Sequence, residues 1–222
     1  FKEGLEKIKY RGPDMTRVIE DNGMWGFNRL AIMGLNDSGM QPFVRENKKV
    51  VCNGEIYGFR KIKDNLIKKG YDFKSESDCE ILLPLLKEKG LDMFKELDAE
   101  FACVMFDGKD FIAARDPIGI RPLFYGYSKV SKNIMFASEA KALIKLCDEI
   151  LPFPPGHYFY KGDFISYCDP TKVDKINYGE IDEITSNIKD KLEQAVIKRL
   201  DADAPLGFLL SGGLDSSLVC SI

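Results

Sequence analysis

The sequence predicts an α+β fold of layered antiparallel sheets, followed by the start of a parallel α/β domain, and three observations carry this reading. Between about residues 24 and 166 the chain runs through short stretches of aromatic and β-branched residues bounded by Gly, Asp, Asn or Pro, the pattern of strands separated by turns. Two segments, 59–69 and 78–89, interrupt that pattern with apolar residues at helical spacing. From residue 183 the order becomes a helix, an apolar run and a Ser-Gly-Gly turn entering a second helix, which is how a parallel α/β domain begins.

Taken in order, the expected strands are 25–33, 49–53, 101–106, 111–115, 123–127, 134–137 and 156–160. Helix 59–69 places Ile62, Leu66 and Ile67 on one side; helix 78–89 opens on acidic Asp78 and carries Ile81, Leu82, Leu85 and Leu86. Many strands with few helices make residues 1–167 one layered domain. Residues 168–182, with Asp169-Pro170-Thr171 and mixed charges, read as a linker. In the second domain, 183–222, Ile184, Ile188, Leu192, Ala195 and Val196 form one stripe, and a strand at 206–210, led by Pro205, feeds the Ser-Gly-Gly turn. About 40 residues are too few to bury a core of their own.

Composition narrows the partners. With 45% hydrophobic and 30% charged residues the chain is an ordinary globular protein, and no apolar run reaches the length of a membrane span. The net charge of -3 arises from interspersed signs, so no basic face is offered to nucleic acid. Six cysteines without a C-x-x-C pair argue against a disulfide scaffold or zinc cluster and fit a reducing, cytoplasmic setting. The chain opens on Phe1, with no charged n-region and no apolar h-region, and reads as an internal piece of a longer protein.

The run Ser211-Gly212-Gly213-Leu214-Asp215-Ser216-Ser217 presents successive backbone N–H groups where two glycines allow an anion to approach closely, so phosphate is its natural guest. It has no Lys and is not a Walker A loop. A strand-to-helix connection with no ligand is the bland alternative. Five motifs precede it: Arg11-Gly12-Pro13-Asp14, Arg29-Leu30-Ala31-Ile32, Asn53-Gly54-Glu55-Ile56-Tyr57, Ser77-Asp78-Cys79-Glu80, and Arg115-Asp116-Pro117-Ile118-Gly119-Ile120-Arg121-Pro122-Leu123. Singly, each is matched by a turn or a surface ion pair; Asn53-Gly54 in particular has the composition of a hairpin turn.

In this order the five motifs resemble the glutaminase domain of the N-terminal-nucleophile amidotransferases. The Ser211 loop is similar to the pyrophosphate loop of the ATP pyrophosphatase superfamily, and together they resemble the glutamine-hydrolysing asparagine synthetases over nearly the whole chain. The resemblance implies a glutamine site of Arg29, Ile32, Met33, Asn53, Gly54, Glu55 and Asp78. Free glutamine is a zwitterion: Arg29 can bind its α-carboxylate in bidentate fashion and Asp78 its α-ammonium, with Glu55 assisting. The Asn53 side chain and the Gly54 N–H match the oxyanion hole that amide hydrolysis requires. Leu209, Leu210, Ser211, Gly212, Gly213, Asp215 and Ser216 correspond to part of an ATP site, with Ser211 and Ser216 on the phosphates and Asp215 on Mg²⁺. The implied reaction releases ammonia from glutamine and transfers it to aspartate activated as an acyl-adenylate, giving asparagine, glutamate, AMP and pyrophosphate; a homodimer is left open.

The family nucleophile is an N-terminal cysteine whose own α-amino group is the base. Phe1 is not that residue, and Cys52 and Cys79, inside motifs but without a free amino group, are expected to pack as small apolar side chains. The chain as it stands is therefore expected to lack glutaminase turnover. His157, the single histidine, is read as a strand-edge residue, not as a partner for a cysteine. Departures from the family pattern are Tyr10 before Arg-Gly-Pro-Asp, Gly58 after Asn-Gly-Glu-Ile-Tyr, Met33-Gly34 after Arg-Leu-Ala-Ile, and Glu76 before Ser-Asp. None removes a charge-pairing or oxyanion group. Two other readings stay open: a relative of the β-lactam synthetases with a dead glutaminase, which intact Arg29, Asn53, Gly54 and Asp78 oppose, and a non-catalytic paralogue with a binding or regulatory role.

Overall fold

The computed structural model describes residues 1–222, which form two compact units, Phe1–Pro170 and Thr171–Ile222. The first holds eleven strands: β1 (Met15–Glu20), β2 (Met24–Arg29), β3 (Phe43–Arg45), β4 (Lys48–Ile56), β5 (Ala99–Phe106), β6 (Phe111–Arg115), β7 (Phe124–Ser128), β8 (Ile134–Ala137), β9 (Cys147–Pro152), β10 (His157–Tyr160) and β11 (Asp163–Ser166). They make a six-stranded sheet in the order β11-β10-β6-β5-β4-β3, a three-stranded sheet β8-β7-β9 and a β1-β2 ribbon, and every pairing is antiparallel. The layered α+β class is the one the sequence predicts.

Strand alternation sorts the six-stranded sheet into two faces. Cys52 lies opposite Cys103 and Gly54 opposite Phe101, so Val50, Cys52, Phe101, Cys103 and Met105 share one face, while Asn53, Glu55, Ala102 and Val104 share the other. Helices cover the first face: α2 (Phe59–Lys68), a 3-10 turn at Asp78–Ile81, α3 (Leu82–Lys89) and α4 (Met93–Glu96), where Phe94 stacks on Phe101 at 5.9 Å. The three-stranded sheet covers the second: Ala102, Ala113 and Phe159 form one core with Leu123 and Phe153, and Tyr125, Ile134 and Phe136 pack against it. Each fully buried Leu, Ile or Phe in these layers contributes roughly 1.5–3 kcal/mol.

All seven expected strands of this unit are present, two of them (111–115 and 134–137) with the expected ends and five with shifted ends, and four more join them: β1, β3, β9 and β11. The expected strand 25–33 stops at Arg29, because the chain then loops around the Arg29 guanidinium and Gly34 takes φ 58. Strand β4 runs on through Asn53-Gly54, so that pair is mid-strand and not a hairpin turn. Helix 78–89 opens as the 3-10 turn before α3; Pro84 sits in the first turn of α3, where its missing N–H costs nothing.

The second unit contains α5 (Ile181–Lys198) and α6 (Leu214–Ser221). The strand expected at 206–210 is absent: these residues have no regular structure and are exposed. A strand needs a hydrogen-bonded neighbour, and no sheet includes any residue of this unit. No helix is long and apolar enough to cross a membrane.

Candidate functional site

A pocket of about 390 Å³ in the first unit brings together all seven residues expected around glutamine: Arg29, Ile32, Met33, Asn53, Gly54, Glu55 and Asp78. These come from the end of β2, the loop after it, the C-terminal half of β4 and the 3-10 turn. The pocket also exposes residues the sequence reading left without a role, among them Gln41, Cys52, Ser77 and Arg121.

Arg29 is only 4% exposed. Its Nη1 donates to the Asn36 carbonyl at 2.7 Å, and its Nη2 to the carbonyls of Met33, at 3.2 Å, and Gly34. The side chain thus folds the 33–36 loop around itself while it lines the pocket. A Cβ on Gly39 would stand 2.2 Å from Nη2, so only glycine fits over this guanidinium. Burial pushes its pKa down, countered by the charges of Asp14 and Asp37.

Asp78 is the anionic counterpart and is 3% exposed. Its Oδ2 accepts from the Ile56 N–H at 2.8 Å and from the Cys79 thiol at 3.6 Å, and its Oδ1 accepts from the Ser77 hydroxyl at 3.4 Å. No protein cation pairs with it. Burial pushes its carboxyl above the ordinary range, against the lowering effect of those hydrogen bonds. The motif that carries Asp78 is tied down by Glu80, which accepts from the Lys74 N–H and from both the N–H and hydroxyl of Ser75. Glu76, the departure from the family pattern, is exposed and pairs with buried Lys63 at 2.7 Å, outside the pocket lining.

Asn53 lies between the two anchors in sequence. Its Nδ2 is buried and has no hydrogen-bond partner, an orphan donor of the kind native structures rarely keep without a reason. At Gly54 a Cβ would meet the Glu100 carbonyl oxygen at 2.4 Å and Phe101 Cα at 2.8 Å. The glycine is therefore demanded by the closeness of β5 as well as by any ligand. Cys52 and Cys79 are both 2% exposed. Both pack in the interior, as the sequence reading expects, and the Cys79 thiol is pushed well up by its hydrogen bond to Cys52 and by burial. His157 is absent from the pocket lining; its Nδ1 lies 2.7 Å from the Pro155 carbonyl.

The two remaining motifs act as scaffolding. In Arg11-Gly12-Pro13-Asp14, Asp14 accepts from the Ala31 N–H at 2.8 Å, Gly12 lies where a Cβ would be 2.1 Å from the Asn28 carbonyl oxygen, and Arg11 pairs with Glu139 at 3.2 Å. Tyr10, where the family pattern has His, also donates to Glu139. In the mid-chain motif, buried Asp116 accepts from the backbone N–H groups of Phe101, Ile118, Gly119, Ile120 and Arg121, while Arg115 donates to the carbonyls of Gly119, Arg121 and Phe153. That knot places Arg121 at the pocket, paired with Glu100.

The expected nucleotide loop is a separate candidate in the second unit. Gly213 caps α6, the Ser211 and Ser216 hydroxyls are 2.8 Å apart, and Ser216 Oγ donates to the Gly213 carbonyl at 3.1 Å. Leu209, Leu210, Ser211, Gly212, Gly213 and Asp215 are exposed, and Ser216 is half-buried.

Residues 1–159 match the family model of the glutamine amidotransferase domain. The chain belongs to the glutamine amidotransferase family. Residues 187–222, which follow the amidotransferase domain, match the asparagine synthase model. Among curated relatives, the chain is 41% identical to a probable glutamine-hydrolysing asparagine synthetase of Dictyostelium discoideum, over 97% of this chain and 41% of that protein. It is 43% identical to one of Schizosaccharomyces pombe (98% and 40% covered) and 42% identical to asparagine synthetase 1 of Saccharomyces cerevisiae (98% and 39%). The chain thus spans about two-fifths of the length of these relatives. Of solved structures, an allosteric regulatory enzyme of purine biosynthesis superposes with TM-score 0.57 at 22% identity, covering 72% of this chain and 43% of that one. The glutamine phosphoribosylpyrophosphate amidotransferase of B. subtilis gives TM-score 0.53 at 25% identity, covering 65% and 34%. Both share the fold of the amidotransferase domain.

Proposed function

We propose that this chain supplies the glutaminase domain and the beginning of the synthetase domain of a glutamine-dependent asparagine synthetase. The observation that carries the first half is a pocket holding both a buried carboxylate with no protein cation, Asp78, and a buried amide donor with no acceptor, Asn53 Nδ2. A neutral pocket does not need either; a zwitterionic amide substrate satisfies both. Glutamine's α-ammonium pairs with Asp78 and its α-carboxylate with the charge of the Arg29 guanidinium. The side-chain carbonyl then meets Asn53 Nδ2 and the Gly54 N–H, which hold the negative charge that develops on its oxygen when the amide is attacked. None of the cysteines in the pocket is the nucleophile: Cys52 and Cys79 are buried inside the chain, and the surroundings of Cys79 push its thiol pKa up.

The second half rests on the match of residues 187–222 and on the loop before α6. Aspartate and ATP are the further substrates. Glycines at 212 and 213 with the start of α6 suit a pyrophosphate. Asp215 is the carboxylate this chain offers to Mg²⁺, which characteristically takes one or two protein carboxylates and completes its shell from phosphate oxygens and water; no cluster of three or more His, Cys, Asp or Glu side chains is formed for a metal. The ion would neutralise phosphate charge while aspartate's carboxylate attacks, and the ammonia released in the first domain would displace AMP.

Calorimetric titration of L-glutamine into the 222-residue chain tests the pocket. Binding is expected, weakened by Asp78→Asn, and none is expected for propionamide, which has the amide without the α-charges. Equal binding of glutamine by Asp78→Asn would overturn the assignment. Asparagine formation from glutamine, aspartate and ATP by a protein of the relatives' full length tests the whole reaction.

A further inference from the structure

We propose that Gln41 is a positioning residue for the oxyanion donor, clamping strand β4 beside Asn53 from the open edge of the sheet; this rests on reading Asn53 as that donor. The register of β3 against β4 pairs Arg45 with Lys48, Val44 with Lys49 and Phe43 with Val50, and there the ladder ends. Continued unchanged, it would bring residue 41 opposite Cys52. Gln41 makes the next pair with its side chain instead. Its Oε1 accepts from the Cys52 N–H at 2.6 Å and its Nε2 donates to the Cys52 carbonyl at 3.1 Å, so one carboxamide imitates both hydrogen bonds of a strand neighbour.

This substitution of side chain for backbone has a geometric consequence. The main chain leaves the sheet before it would cover the end of β4 that carries Asn53 and Gly54, so the pocket stays open on that side, yet the backbone at Cys52 is not left unpaired. Gln41 is itself 5% exposed, and an unmet backbone pair at this depth would be destabilising. Asn53 Nδ2 is buried but makes no hydrogen bond of its own, so its direction is set by packing and by its backbone. Its aim depends on the backbone just before it, which β5 holds on one side and Gln41 on the other. The same segment reaches the other end of the pocket, because Gly39 packs on the Arg29 guanidinium and Asn36 accepts from it. One stretch of chain therefore spaces the carboxylate anchor from the amide end.

The test uses a protein of the relatives' full length, assayed for glutamine hydrolysis and for ammonia-driven asparagine formation. Gln41→Met keeps the bulk and loses both hydrogen bonds. It should lower kcat for glutamine about tenfold, leave KM within about twofold and spare the ammonia-driven rate, a fraction of the roughly hundredfold loss that removing an oxyanion donor causes. Combined with Asn53→Ala it should cost little more than Asn53→Ala alone, since the two act through one donor. Gln41→Glu, which keeps the acceptor for the Cys52 N–H, is the second variant should Gln41→Met fail to fold, and the same loss confined to kcat is expected. An unchanged kcat, a KM that rises in step, or full additivity with Asn53→Ala overturns the proposal. If Asn53→Ala itself leaves kcat intact, the oxyanion reading fails; the clamp is then judged by hydrogen exchange of the Cys52 amide in the 222-residue chain, which should quicken at least about tenfold in Gln41→Met, and an unchanged rate removes the clamp as well.

Discussion

Gly54 and Gly212 each stand in a motif matched to a ligand, and their surroundings are opposite. Around Gly54, in the first unit, backbone atoms of β5 leave no room for a methyl group, whereas a Cβ on Gly212, in the second, would touch nothing within 4 Å and is opposed only by φ +80. The same contrast holds for the charged groups. Arg29, Asp78 and Asp116 are buried and tied to named backbone groups, while Asp215 is exposed at the start of α6. The pocket of the first unit is thus a product of packing, and its members cannot move independently. The loop of the second is a product of local backbone preference, held by Ser211, Ser216 and the helix that follows.

The sharpest way to break the comparison is Asp215→Ala in a protein of full length. Asparagine formation should be lost from either nitrogen source, because a charge that positions the triphosphate is gone. Glutamine hydrolysis should persist, and its loss would show the two sites to be inseparable. Next in size, Asn53→Ala should lower glutamine hydrolysis about a hundredfold in kcat while ammonia still drives synthesis; steady-state rates with both nitrogen sources read this directly.

Asp78→Asn separates function from stability within the first unit. Loss of a charge-assisted pair should weaken glutamine binding about tenfold or more. Because burial raises the Asp78 pKa in the folded state, the ionised carboxylate opposes folding. The stability this group contributes is present below its unfolded value and lost as pH rises through the folded value. Asp78→Asn should therefore raise the melting temperature of the 222-residue chain near neutral pH, and the gain should vanish on acidification into the ordinary carboxylate range. A lower melting temperature at neutral pH would show its hydrogen bonds to outweigh the burial cost.

The smallest effect sharpens the glycine contrast itself. Gly54→Ala should destabilise the first unit by about 2–3 kcal/mol through overpacking against β5. Gly212→Ala should cost about 1 kcal/mol, the strain of a left-handed backbone alone. Denaturant titration of both variants measures the difference, and equal costs would mean that the two sites are not built on different principles.

Most of the site was legible before any coordinates, for a chemical reason: Arg29, Asn53, Gly54, Glu55 and Asp78 lie in short contiguous motifs, and a zwitterionic amide needs their groups. Gln41 was invisible, because its role depends on a register between two strands and on where the ladder between them ends. Strands β1, β3, β9 and β11 were missed for a related reason. Charged β1 and β9, and three- or four-residue β3 and β11, carry too little alternation to declare themselves and exist only because a neighbour pairs with them. The converse error was the strand at 206–210, whose apolar run promised a buried strand where no neighbour is present to bond it.

The sequence by itself determined which groups are available: the ionic and amide side chains of one pocket, the glycines of a phosphate-type loop, helix periodicity and the layered α+β class, since these follow from residue type and spacing within a few positions. Only the tertiary structure decided how those groups are held. It turned Asn53-Gly54 from a candidate turn into the middle of a strand, assigned Asp116 and Arg115 to a backbone knot, committed part of Arg29 to its own loop, and left Asp78 without a cation and Asn53 Nδ2 without an acceptor. Each of those outcomes depends on which distant backbone carbonyls and N–H groups arrive nearby, and packing, not local propensity, sets that arrival.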